Sequence, residues 1–341
     1  MVKPKPKKKA RPVPEEVEEP EVETHAVDEA AEDGDSGILD IDGEEIQIHT
    51  QKLLKVSAFE PEHHYWLDTG SPDANAVFGN EEKGIAYGKV MEIAGPEHCG
   101  KTLISNILMG LAQKDGAAAG YIDLEESRDG VWSTKLGVRW SAVTKFYPML
   151  VTQKKGPPIL LSAEEICEQA ESAMHTLSQR ADKQFWFLDS IAMMVTRKQY
   201  AVGLSDASMN SKLDRAEFLS RLLPRWAGIA ANYNATILLS NQLRAKIGGF
   251  VMGDPDDTTG GKALKHVCSV RVRGRRMKGG RLKQGKAVVG LAGVLRNIKN
   301  KSGDGSVEGC ECGFKVLWNR DPARIQFMPK KDLEDEMGEE K

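Results

Sequence analysis

Along this chain, apolar runs that end in a polar or charged residue alternate with stretches of helical spacing. Lys89-Val90-Met91-Glu92-Ile93-Ala94 predicts a strand and Leu103 to Gln113 a helix. Ala117 to Leu124, small and apolar, predicts a buried strand ending at the acidic pair Glu125-Glu126. A helix from about Asp129 to Leu136 and a strand over Val143-Thr144-Lys145-Phe146 follow. Ser162-Ala163-Glu164-Glu165 has the form of a capping box, and Ile166, Ala170, Ala173, Met174 and Leu177 share one face, so Ser162 to Arg180 predicts an amphipathic helix. Phe185-Trp186-Phe187-Leu188-Asp189-Ser190 predicts an apolar strand closed by an acid, and Ala235 to Gln242 repeats the design with an amide. Such alternation implies an α/β fold: a mostly parallel sheet, helices on both faces, and chemistry at the carboxyl ends of the strands.

From Ser269 the rhythm changes to short apolar segments joined by glycine turns, at 270–273, 288–295, 314–318 and 323–327. These predict antiparallel edge strands added to the same sheet. Near the start, Ile38 to Asp42 and Ile46 to Ile48 alternate enough to predict a hairpin or edge strand, either a packed lid or an arm that adds a strand to a neighbouring subunit.

Charge sharpens this picture. The net charge of -3 conceals segregation: residues 1–12 carry six Lys/Arg and no acid, residues 13–45 carry fifteen Asp/Glu and no Lys/Arg, and 332–341 carry six acids and one base. Both N-terminal blocks predict disorder, and the interior 46–331 carries +11, which points to a polyanionic partner. No apolar run is long enough for a membrane span and no apolar leader is present, so the expected location is the cytoplasm, or the host cytoplasm if the chain is phage-encoded. Five scattered cysteines argue against a disulfide framework. Cys310-x-Cys312 is half of a metal site without a second pair at ligand spacing, and a glycine-flanked turn is the plainer reading.

The candidate chemistry centres on Gly95-Pro96-Glu97-His98-Cys99-Gly100-Lys101-Thr102, the pattern G-x-x-x-x-G-K-[ST] between a strand and a helix. Backbone N–H groups of such a turn and of the helix start form a positive concavity for a polyphosphate. Lys101 would reach the outer phosphates, and the Thr102 hydroxyl would meet magnesium. Asp189 fits the acid that holds the metal. Glu125 fits a group that orients and deprotonates water, with Glu126 an equally acidic neighbour. Gln242 either senses a terminal phosphate or is an ordinary polar strand end. Behind it, 244–261 is long, glycine-rich and partly apolar, and 262–286 holds ten Lys/Arg (among them Lys262 and Arg271) without an acid. With 195–212, this predicts two basic loops at the ends of nucleotide-sensing strands, coupling ATP to grip on single-stranded nucleic acid.

From about Thr69 to Lys301 the chain resembles the bacterial RecA recombinases, and its compact size is similar to phage-encoded members. The matching segments are the phosphate loop, Tyr121-Ile122-Asp123-Leu124-Glu125, Lys135-Leu136-Gly137-Val138, Leu188-Asp189-Ser190, and Asn241-Gln242-Leu243-Arg244 through Thr258-Thr259-Gly260-Gly261-Lys262-Ala263-Leu264-Lys265. The resemblance implies a RecA-like P-loop ATPase core, with ATP and magnesium as cofactors, that hydrolyses ATP in response to DNA. It further implies a helical homo-oligomeric filament on single-stranded DNA, ATP at the subunit interface, pairing with homologous duplex and strand exchange, and auxiliary loading or single-strand-binding proteins. By position Glu125 would be the catalytic glutamate and Gln242 the phosphate sensor. Trp132, with Asp129 nearby, would lie against adenine, and Lys299 and Lys301 would reach the neighbour's terminal phosphate. The two DNA-binding loops would contain Arg197, Lys198 and Met209, and Arg244, Lys246, Phe250 and Met252. The expected organisation is a basic then acidic tail (1–36), an N-terminal arm for subunit contact (37–66), the ATPase core (67–330) and an acidic tail (331–341). The alternatives are a ring helicase or repair ATPase on the same fold, and an ATP-gated DNA-binding or regulatory module. Against the family pattern, His98-Cys99 replaces two small hydroxyl residues, the second loop is one residue longer, and a separate C-terminal DNA-gathering domain is not recognisable.

Overall fold

The computed structural model describes residues 39–41, 44–46, 65–127, 129–151, 159–201, 210–245, 256–258, 260–302 and 307–339. It contains two compact units, 1–60 and 61–341. In the first, β1 (Leu39–Ile41) and β2 (Glu44–Ile46) form an antiparallel hairpin.

The second unit runs β3 (Trp66–Leu67), α1 (Pro72–Phe78), β4 (Ile85–Ala86), β5 (Val90–Gly95), α2 (Lys101–Lys114), β6 (Ala118–Asp123), α3 (Gly130–Lys135), β7 (Val143–Phe146), β8 (Leu150–Val151), β9 (Ile159–Leu160), α4 (Ala163–Ser178) and β10 (Gln184–Asp189). It continues with α5 (Arg197–Ala201), α6 (Asn210–Asn232), β11 (Ala235–Ala245), β12 (Asp256–Thr258), α7 (Gly261–Val267), β13 (Val270–Gln284), β14 (Ala287–Asn300), β15 (Glu311–Leu317), β16 (Arg324–Pro329) and α8 (Lys330–Glu339). One sheet has the order β16-β15-β14-β13-β5-β11-β10-β6-β7, with β12 paired to the end of β11. Neighbours from β13 to β7 are parallel, whereas β14, β15 and β16 add antiparallel at one edge, which is the expected arrangement.

Burial on both faces explains why the central strands read as continuous apolar runs. On β10, Phe185 and Phe187 join Met91, Ile93 and Leu238 beneath α2, whereas Trp186 and Leu188 join Ile237 and Leu239 beneath α4 and α6. The Trp186 indole fits because its cross-strand partner is Gly120, where a Cβ would lie 2.1 Å from the ring. At α4 the capping box is formed: Ser162 Oγ accepts from Glu165 N, and the Glu165 carboxylate accepts from Ser162 N.

The stretch expected as an acidic tail is mostly the docked helix α8. Its two apolar residues lie four apart, so Leu333 and Met337 form one buried stripe against Leu282 and Ala292. Lys315 and Lys330 neutralise its surroundings through Glu336 at 3.0 Å and Glu311 at 2.6 Å. Charge counting along the sequence conceals that stripe.

Candidate active site

A cavity of about 670 Å³ opens at the carboxyl ends of β5, β6, β10 and β11, over the phosphate-loop pattern. Glu97, His98, Gly100, Lys101, Thr102, Glu125, Trp132, Asp189 and Gln242 line it; Gly95, Pro96 and Cys99 complete the loop beside it. Left-handed backbone at His98 (φ 58°) and Gly100 (φ 95°) turns the loop into the start of α2. The loop packs so closely that a Cβ on Gly95 would lie 2.4 Å from Cys99 Sγ and 2.5 Å from the Gly274 carbonyl. Cys99 is buried, so its departure from a hydroxyl residue is accommodated inside the loop.

Lys101 Nζ donates to the carbonyls of Gly95 and Pro96, each at 3.0 Å. Next to it, Thr102 Oγ1 donates to Asp189 Oδ2 at 2.6 Å. Burial pushes the Asp189 carboxyl up to about 6; the Thr102 hydrogen bond opposes that shift and the Glu125 charge adds to it. A hydroxyl and a carboxylate in contact beside the loop supply hard oxygen donors, the set that suits magnesium. Glu125, not Glu126, lines the cavity. It is held from two sides: its carboxylate accepts from Ser190 Oγ, and its backbone N–H donates to the Asp189 carbonyl at 3.2 Å. Asp129 caps α3, accepting from Val131 N at 2.9 Å and Trp132 N at 3.0 Å. That cap orients the helix turn carrying Trp132, whose ring meets Trp318 edge-on with centroids 5.1 Å apart.

Gln242 sits beside the loop because its partner in β5 is Gly95. A buried network runs outward from it. Gln242 N donates to Asn241 Oδ1 at 2.9 Å, and Asn241 Nδ2 to Glu92 Oε1 at 2.8 Å. Arg271 Nε donates to Glu92 Oε2 at 2.5 Å and Arg271 Nη2 to Thr258 Oγ1 at 3.2 Å. Arg271, assigned to DNA from its place in a basic run, therefore occupies an internal ion pair. Burial at the start of β13 separates it from its exposed neighbours.

Of the remaining expected residues, Lys299, Lys301, Arg197, Lys198 and Lys262 are not among those lining the cavity. Lys299 Nζ donates to the carbonyls of Lys265 at 2.6 Å and His266 at 3.1 Å, capping the C-terminal end of α7, and burial lowers its pKa. Lys301 is exposed at the end of β14. On α5, Arg197 pairs with Glu165 at 3.5 Å and Lys198 with Glu217 at 3.1 Å, both on the surface. Lys262 is exposed on the first turn of α7. Arg244 lies on β11. Met209, Lys246, Phe250 and Met252 fall outside the described residues.

The opposite wall of the cavity is formed by Arg281, Val288, Gly290, Leu291 and Trp318. Sequence reading missed all five as site residues. They come from β13, β14 and the end of β15, remote from every motif, and only strand register brings them over the loop.

Comparison with known proteins gives a match to the RecA N-terminal domain family over residues 62–308. The chain is similar to Protein RecA of a Sulfurovum species, 31% identical over 249 residues, covering 73% of this chain and 65% of that relative. Protein RecA of Syntrophus aciditrophicus is 32% identical over 218 residues, 64% of this chain and 57% of the relative. Protein RecA of Geobacter sulfurreducens is 31% identical over 235 residues, 69% of this chain and 62% of the relative. The chain thus spans less than two thirds of the length of these curated relatives.

Proposed function

The chain belongs to the RecA family, and on that premise we propose that it is a DNA-dependent ATPase that assembles as a filament on single-stranded DNA and catalyses homologous pairing and strand exchange. The observation that carries this reading is the shared strand β11. Its Gln242 lines the cavity, and its continuation Leu243–Ala245 pairs with β12, so one strand runs from the cavity into the expected DNA loop, 243–261.

In the proposed reaction the phosphate loop and the N–H groups at the start of α2 bind the phosphate chain of ATP, and Lys101 moves from its loop carbonyls to the outer phosphates. Thr102 and Asp189 would hold magnesium, which would supply charge neutralisation there. Glu125, aimed by Ser190, accepts a proton from the attacking water. Gln242 hydrogen-bonds the terminal phosphate, and the Asn241–Glu92–Arg271–Thr258 chain ties its position to β12. Lys299 and Lys301, on the far end of β14, complete the site of a neighbouring subunit. The basic surface containing Lys262, with Arg197 and Lys198, meets the DNA backbone.

The test is ATP hydrolysis with and without single-stranded DNA. Wild type is expected to be stimulated by DNA. Lys101→Ala should abolish turnover, and Glu125→Gln should retain ATP binding with turnover reduced by about 10²-fold or more. Hydrolysis indifferent to DNA, or an unimpaired Glu125→Gln variant, would refute the reading.

A further inference from the structure

We propose that Arg281 is a nucleotide contact, a guanidinium on the β13–β14 ribbon that pairs with a phosphate oxygen of a nucleoside triphosphate from the wall facing the phosphate loop; this rests on the nucleotide-site reading above. Three observations support it.

The first is placement. Arg281 pairs with Leu291 across the ribbon. A Cβ built on Gly100 would lie 3.0 Å from Leu291 Cδ2, so this part of β14 is in contact with the start of α2. Cross-strand partners share a face, which sets Arg281 beside the loop, and it lines the same cavity as Lys101, Thr102 and Leu103.

The second is the irregularity that sets this placement. Arg276 pairs with Gly293 and Arg281 with Leu291, so five steps on β13 match two on β14. The excess is odd, and an odd insertion reverses which face the following residues occupy. Regular pairing after Arg276 would turn position 281 away from Leu291. Instead Gly279 takes φ 76° and Gly280 presses on β14, where a Cβ would lie 2.2 Å from the Ala292 carbonyl. The bulge returns Arg281 to the face of Arg276. That face looks toward the loop: burial raises the Cys99 thiol pKa, and the charges of Lys101 and Arg276 oppose the shift.

The third is the state of the side chain. Arg281 is exposed and makes no hydrogen bond or ion pair with the described residues, unlike Arg271 and Arg275 on the same strand. A cation without a counterion, facing a site built for a polyanion, fits a phosphate oxygen.

The test is binding to the full chain by competition against a fluorescent ATP analogue, with ATP, inorganic tripolyphosphate and adenosine as competitors. Arg281→Ala is expected to weaken ATP and tripolyphosphate about tenfold and leave adenosine unchanged, with the difference shrinking at high salt. Arg281→Lys should retain part of the affinity, and Lys331→Ala, a remote exposed charge, all of it. The nucleotide-free melting temperature of Arg281→Ala should match wild type, because the side chain is exposed. Wild-type ATP affinity in Arg281→Ala would overturn the proposal, as would an equal loss for adenosine, which would indicate stacking on the base. Wild type that binds no ATP would overturn the nucleotide-site reading itself, and the proposal with it.

Discussion

Replacing Arg271 by methionine removes one partner of the buried network behind Gln242. The pair has its Nε–Oε2 distance at 2.5 Å, with side chains 11% and 0% exposed. In Arg271→Met, Glu92 keeps its hydrogen bond from Asn241 but loses its hydrogen-bonded guanidinium, and the Arg273 charge on the same strand remains to act on the buried carboxylate. Breaking a buried pair in this way costs about 3–5 kcal/mol. At roughly 2 °C per kcal/mol for a body of this size, the melting temperature should fall by about 6–10 °C. The double variant Glu92→Gln/Arg271→Met removes the stranded charge but retains an amide oxygen for Asn241, so it should recover most of the loss. Thermal unfolding followed by circular dichroism, in wild type, both single variants and the double variant, measures the cycle. An Arg271→Met variant within about 1 kcal/mol of wild type, or a double variant no more stable than Arg271→Met, would refute the claim that the pair is an internal brace.

Asp189 carries a pH signature. Its folded pKa of about 6 lies above the ordinary value of 3.8, so the folded form takes up a proton as pH falls through 6, before the unfolded chain does. The melting temperature of nucleotide-free wild type, relative to Asp189→Asn, should therefore rise between about pH 7.5 and pH 5; a flat difference would contradict the assigned burial penalty. Gly95→Ala places a methyl group 2.5 Å from the Gly274 carbonyl and 2.4 Å from Cys99 Sγ, so ATP binding should be lost even with Lys101 intact; normal ATP affinity by titration would contradict the close packing. Leu333 is fully buried, and Leu333→Ala should cost about 2–5 kcal/mol in denaturant unfolding, whereas a solvated tail would show no loss.

The features legible in the sequence were those written locally. β5, β10 and β11 announce themselves because burial on both faces demands unbroken apolar runs, and parallel pairing brings Asp189 and Gln242 to the cavity with Gly95 in the loop beside it. Trp318, Leu291 and Arg281 were not legible because their position depends on register across three strands and on a bulge at Gly279–Gly280. Charge counting treated Arg271 and Arg281 alike, although the first is paired with Glu92 in the interior and the second faces the cavity. The same counting hid α8, where two apolar residues among acids were enough to dock a helix. Between Glu125 and Glu126 the sequence left an open choice, which the Ser190 hydroxyl and the backbone turn at Glu126 (φ 50°) resolve geometrically in favour of Glu125 in the cavity.

The central claim is that nucleotide state at this cavity drives homologous pairing of DNA. It is tested most directly by incubating the protein with a single strand and a labelled duplex, homologous or not, with and without ATP and magnesium, and measuring the transferred strand. The account predicts transfer only with ATP, only with the homologous duplex, and none with Lys101→Ala. Transfer independent of homology, or unwinding of duplex without a matching strand, would contradict it.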